Sequence, residues 1–155
     1  MTSGRVGPRR RCLVLLAAAA ALAAVAGTHA QDQQPALTPT DARAVRSVID
    51  AQLAAFAAGD AERAFSYASP GIRAQFSNAA TFMAMVEDSY PMVVRPTAVS
   101  YFQPQRSNGM VLQRLQLRDG EGRSWLASYQ LARQAKAGWR IEACVVVPDS
   151  GGAST

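Results

Sequence analysis

Ser124–Gln134 reads SWLASYQLARQ; the tetrapeptide AKAG follows, and then Trp139–Val147 reads WRIEACVVV. Apolar and polar residues alternate along the first run and the start of the second, and Ala137-Gly138 supplies a tight turn between them, so the stretch predicts a β-hairpin. By strict alternation one face of its first strand carries Trp125, Ala127, Tyr129 and Leu131. One face of its second strand carries Trp139, Ile141, Ala143, Val145 and Val147. Working outward, Met110–Arg118 puts Val111, Gln113, Leu115 and Leu117 on one face, and Asp119-Gly120-Glu121-Gly122 turns it into the hairpin. Ser107-Asn108-Gly109 joins it to an earlier strand at Ala98–Gln103, since Asn-Gly is a strong hairpin-turn signal. Four antiparallel strands in a meander are expected, ended by Pro148.

Upstream the hydrophobic period changes from two to that of a helix. Thr38-Pro39-Thr40-Asp41 is a helix start, with Thr38 as cap and Pro39 in the first turn, where its missing N–H costs nothing. Val45, Val48, Ile49, Leu53 and Phe56 then recur at helical spacing until Gly59. Asp60 caps a short second helix, Ala61–Ala68, which buries Phe65 and is broken by Ser69-Pro70-Gly71. An irregular or single-turn segment carries Ile72 and Phe76. A third helix, Asn78–Asp88, is expected with Ser77 as its cap and Phe82, Met85 and Val86 on one face; Tyr90-Pro91 ends it. Helices followed by an antiparallel sheet make an α+β architecture.

The segments VRSVIDAQLAAFAAGDAERAFSYASPGIRAQF (Val45–Phe76), FMAMVEDSYPMV (Phe82–Val93) and GWRIEACVVV (Gly138–Val147) carry a resemblance. They resemble an uncharacterised bacterial domain-of-unknown-function family within the nuclear transport factor 2-like superfamily, which includes ketosteroid isomerase-like and polyketide cyclase-like proteins. The resemblance implies a cone-shaped fold, N-terminal helices packed on a curved four-strand sheet, with a pocket inside the cone. It implies no particular reaction, because the superfamily holds isomerases, dehydratases and cyclases beside non-catalytic binding and assembly modules.

The N-terminus reads as a targeting segment. Arg5, Arg9, Arg10 and Arg11 precede an Ala/Leu/Val core at Leu13–Ala26, and Thr28-His29-Ala30 offers a small-residue cleavage site. Residues 1–30 are thus expected to be a signal peptide cleaved after Ala30, with Ala26 as the alternative, and the product exported to the periplasm. The core falls short of the ~20 apolar residues of a membrane span. Arg10-Arg11-Cys12-Leu13-Val14 also loosely resembles a twin-arginine signal. Residues 31–37 form a lead-in, 38–148 a single domain and 149–155 a loose tail.

Removal of that segment changes the electrostatics. The whole chain has a net charge of +5, but residues 31–155 carry 12 Lys and Arg against 11 Asp and Glu. A nucleic-acid partner is therefore not expected. The only histidine, His29, leaves with the signal, and Cys144 becomes the one remaining cysteine. A Ser–His–Asp or Cys–His arrangement is excluded within that chain, and a metal site would rest on one thiol and carboxylates. Lys136 lies in a polar turn, unsuited to Schiff-base chemistry. No metal and no cofactor are expected.

Enzymes of the superfamily set an acid inside the cone beside a tyrosine. Here Asp41, Asp60, Glu62, Glu87 and Asp88 fall at helix ends, and Asp119, Glu121 and Asp149 in turns or the tail. Glu142 is inside a strand, but alternation with Ile141 turns it away from the core. The side chains left to line a pocket are Tyr90 at its mouth and Tyr101, Gln113, Trp125 and Tyr129 inside. Such aromatics equally serve as core residues whose polar atoms find backbone partners. Alternation also sets Cys144 on the outer sheet face, with Arg114, Gln116, Gln130, Arg140 and Glu142, where a homodimer contact or plain solvent are the two readings. The sequence favours a non-catalytic domain binding a small apolar or amphipathic ligand or a protein partner. An isomerase- or cyclase-like enzyme and a structural dimeric module are the alternatives.

Overall fold

Thr38 begins the first helix as expected. Its Oγ1 accepts from the Asp41 backbone N–H at 3.0 Å, and α1 runs Pro39–Ala57 with Val45, Ile49, Gln52, Leu53 and Phe56 buried. The computed structural model describes residues 37–151, so the signal-peptide reading, nearly all of the lead-in and the end of the tail lie outside the described residues. Gly59 takes φ +69° after α1, a left-handed value that glycine adopts without a Cβ clash. Asp60 accepts from Arg63 N–H and opens α2, Ala61–Ser66.

Ser69 and Pro70 both break the chain and restart it. α3, Pro70–Arg73, is a single turn capped by the Ser69 hydroxyl. The next helix, α4, spans Ala79–Ser89, and its cap is Asn78 rather than Ser77: Asn78 Oδ1 accepts from Thr81 N–H at 2.9 Å. Asparagine is as good a cap as serine, and helical dihedrals begin one residue later than the sequence suggests. Pro91 ends α4 and starts a further turn that the sequence reading lacks, α5, Pro91–Val94. A cluster of Phe56, Phe65, Phe76 and Phe82 joins these helices; the Phe65–Phe82 and Phe76–Phe82 ring centroids are 5.2 and 5.3 Å apart.

The sheet is antiparallel and has five strands rather than four. β1 (Ala98–Tyr101) and β2 (Gln105–Ser107) both pair with β3 (Met110–Arg118); β4 (Ser124–Gln134) and β5 (Gly138–Pro148) follow in order. The expected strand Ala98–Gln103 is β1, which stops at Tyr101; after the break at Phe102–Pro104, where proline has no N–H to give a ladder, β2 is a further strand that the sequence reading lacks. Asn108 and Gly109 turn with φ +50° and +76°, as a two-residue hairpin of this handedness requires. Val111, Gln113, Leu115 and Leu117 face the core together with Ala127, Tyr129 and Leu131. The helices cover that inner face, and the α+β layout is the one expected.

One departure changes the site. Gln130 pairs with Ala143, but Leu131 pairs with Ile141, leaving Glu142 as the extra residue of a β-bulge. Alternation along β5 therefore shifts by one beyond Ile141. Trp139 and Ile141 are buried as expected, whereas Val145 and Val147 are 58 % and 46 % exposed instead of facing the core. Cys144 and Val146 take the inner positions, opposite Tyr129 and Ala127. The expected outward direction of Cys144 is thus corrected, because a strand with a bulge does not keep one parity.

The outer edge of β5 is partly covered. Tyr67–Ser69 runs beside it: Ser69 N–H donates to Ile141 C=O at 2.8 Å, and Ile141 N–H donates to Tyr67 C=O at 2.9 Å. Among the described residues no helix is long and apolar enough to cross a membrane.

Candidate functional site

A cavity of about 290 Å³ lies between the helices and the inner face of β4 and β5. Phe56 of α1, Ile72 of α3, Phe82, Met85 and Val86 of α4, and Phe76 and Val93 supply an apolar wall. The sheet contributes Tyr129 from β4, and Ile141, Cys144 and Val146 from β5. The bulge is what brings Cys144 and Val146 to this surface. Gln75, just after α3, is exposed, and Tyr90, where α4 meets α5, is half-buried.

The polar groups on this lining are few, and the two that face each other across β4 and β5 are uncharged. Tyr129 is 1 % exposed, and Cys144 is its direct cross-strand partner. Burial, with the neighbouring Cys144, holds the Tyr129 phenol well above its usual pKa. Burial also pushes the Cys144 thiol up to about 12, with the Tyr129 hydroxyl opposing part of that rise. Both groups are therefore neutral at physiological pH, and the thiol is no nucleophile. Gln52 is 4 % exposed on the inner face of α1; its Nε2 donates to Ala64 C=O at 3.2 Å.

Glu142 does not point where strict alternation along β5 would send it. It lines the cavity instead of turning away, since it is the bulged residue. Its Oε1 accepts from Gln134 Nε2 at 3.0 Å, and no tyrosine bonds to it among the described residues. The acid–tyrosine pair of an isomerase-like centre is therefore not assembled. No group of three or more His, Cys, Asp or Glu able to hold a metal occurs among the described residues.

Of the five expected pocket residues, the cavity brings together Tyr90 and Tyr129. The other three serve the frame. Tyr101 is half-buried and donates its O–H to Asp50, an acid the sequence reading passed over, while the Arg46 guanidinium is 4.3 Å from its ring centroid. Burial and then the Asp50 carboxylate raise its pKa. Gln113 is buried, but its Nε2 donates to Phe102 C=O at 2.7 Å and Arg114 C=O at 2.9 Å. It satisfies a carbonyl at the start of the break between β1 and β2, which is a structural task. Trp125 donates Nε1–H to Asp119 Oδ2 at 2.9 Å, at the β3–β4 turn. Alternation told correctly that Gln113 points inward; it could not tell which part of the interior the side chain reaches.

Sequence reasoning missed Gln52, Cys144 and Glu142. Gln52 had a signal, because it lies three residues beyond Ile49 and four before Phe56 on the apolar stripe of α1. A glutamine there breaks the pattern of a helix face that otherwise packs. The two β5 residues had none, because Ala143–Val147 is apolar at both parities.

No curated protein matches the chain. Among solved structures, a crystal structure of an NTF-2 like protein of unknown function from Silicibacter pomeroyi is similar, at 15 % identity and a TM-score of 0.49. That match covers 72 % of this chain and 98 % of the other. Residues 38–154 match the family described as a domain of unknown function, DUF4864, and the chain belongs to that family.

Proposed function

We propose that the domain is a non-catalytic binding module, exported to the periplasm, that holds a small apolar or amphipathic molecule in the cavity between its helices and sheet. The observation that carries this reading is the pairing of an apolar wall with a few polar groups, Tyr129 foremost, around about 290 Å³ of space. Ligand sites have this make-up, at volumes of roughly 300–1,000 Å³. Tyr129 and Cys144 hold their protons and so supply orientation rather than a general base, and Glu142, which accepts from Gln134, has no tyrosine bonded to it among the described residues. Export rests on the basic head, apolar core and small-residue site of residues 1–30.

Native mass spectrometry of the chain from Gln31, taken without denaturation from a periplasmic extract, tests the reading. A retained small-molecule mass that diminishes in Tyr129→Phe is the expected result. An apo mass that stays unchanged across a panel of added apolar compounds overturns it. The same spectrum reads a second proposal, a homodimer through the outer sheet face. The exposed Val145 and Val147 favour it, because the bulge sets them on that face opposite Ser128 and Leu126.

A further inference from the structure

Gln52 holds the observation that goes furthest. Its amide orientation is fixed, because the Ala64 carbonyl can only accept and so takes the Nε2 side. The carbonyl Oε1 then accepts no hydrogen bond among the described residues, although the residue is 4 % exposed and borders the cavity. That oxygen is not sealed off, since among the described residues the buried side-chain atom left without a partner is Arg106 Nε; Gln52 Oε1 is open to water on the cavity side and can accept from whatever occupies the space. Leucine would continue the apolar stripe of α1 at this place but would present no acceptor to the cavity.

We infer that the cavity takes an uncharged, ring-sized molecule bearing an N–H or O–H group, and that this donor bonds to Gln52 Oε1. The inference rests on the binding reading above and adds the chemistry of the occupant. Charge selects against anions: Glu142 is on the lining, and no lysine or arginine is. A carboxylate or phosphate entering would lose its water and meet a like charge, with no cation in return. Size bears on it too, since about 290 Å³ lies at the small end of the roughly 300–1,000 Å³ of small-molecule sites. A fused bicyclic ring is of the size such a space takes. Phe56, Phe76 and Phe82 give such a ring flat apolar surface to lie against.

Three related probes separate the claims: indole, N-methylindole and indole carboxylate, titrated calorimetrically into the folded protein. Methyl shifts of Met85 and Val86 in NMR spectra locate the bound probe. Indole is expected to bind, N-methylindole roughly tenfold more weakly for want of a donor, and indole carboxylate most weakly. Gln52→Leu should bring indole and N-methylindole to equal affinity. Should that variant not fold, the ratio between the two neutral probes on the natural protein still decides. Equal binding of indole and N-methylindole by the natural protein overturns the donor inference and leaves the cavity reading standing. Carboxylate binding as tight as indole overturns the exclusion of anions. Failure of both neutral probes to shift Met85 and Val86 removes the binding reading itself, and this inference with it.

Discussion

Two buried polar side chains, Asp119 and Gln52, are treated in opposite ways. Asp119, 8 % exposed at the β3–β4 turn, accepts from the backbone N–H groups of Glu121 and Arg123, from Arg123 Nε and from Trp125 Nε1, all at 2.8–2.9 Å. Every lone pair has a partner, and the Trp125 bond and then the Arg123 contacts hold its pKa well below the carboxylate range, although burial opposes them. Gln52, equally hidden, keeps one of its two polar atoms free of protein partners. A fully satisfied buried group belongs to the frame; a partly satisfied one beside a cavity is where a ligand can be useful. Asp119 makes the turn, and Gln52 faces the space.

The largest effect that would sharpen this contrast is at the turn. Asp119→Ala removes four accepted bonds and strands Trp125 Nε1 and two backbone donors, so it should give the deepest fall in Tm of the variants named here. The loss is also pH-dependent. Because the folded-state pKa is depressed, the carboxylate stabilises the fold above its unfolded pKa near ~3.9 and that contribution fades as pH falls toward the folded value. Melting curves of Asp119→Asn and the natural protein should thus lie far apart at neutral pH and converge in acid. A gap that widens in acid would break the comparison.

The next effect concerns the thiol. The folded pKa of Cys144, about 12, exceeds the unfolded value, so its contribution is intact at neutral pH and is lost as pH rises above ~8.5 toward the folded value. A neutral alkylating reagent should leave Cys144 untouched in the native state at neutral pH and label it once the chain is unfolded. Rapid native labelling would place the thiol outside and undo the bulge assignment. Smaller still is Tyr129→Phe, which removes one buried hydroxyl and should cost about 1 kcal/mol in denaturant melts. The smallest is Gln52→Leu. It gives up the bond to Ala64 C=O and also the unpartnered oxygen, so stability should stay within about 1 kcal/mol of the natural protein. A collapse there would mean that Gln52, like Asp119, belongs to the frame.

How much of this was legible in the sequence follows the same division. Local chemistry was readable: the Thr38 cap, the Gly59 stop, the Asn108-Gly109 turn and the run of β3 are set by neighbours in the chain. The inward face of β3 and β4 was readable too, because polar residues mark the other side. The candidate site was readable only in part, since Tyr129 and Tyr90 reach the cavity while Gln113, Trp125 and Tyr101 spend their polar atoms on Phe102, Asp119 and Asp50. Parity gives direction and leaves depth and partner open. In β5 even direction was lost, because an all-apolar Ala143–Val147 hides a change of phase at Glu142.

The strap of Tyr67–Ser69 along β5 has a consequence for how the protein fails. The edge of a sheet is a template on which another chain can grow, and natural proteins shield it. Here the shield at Ile141 is the link between two short helices, secured by two backbone bonds. A perturbation that frays α2 or α3 without unfolding the sheet would uncover the backbone of Ile141 beside the apolar run Ala143–Val147. Self-association of the uncovered strand, rather than simple loss of structure, is then the route by which damaged molecules leave solution.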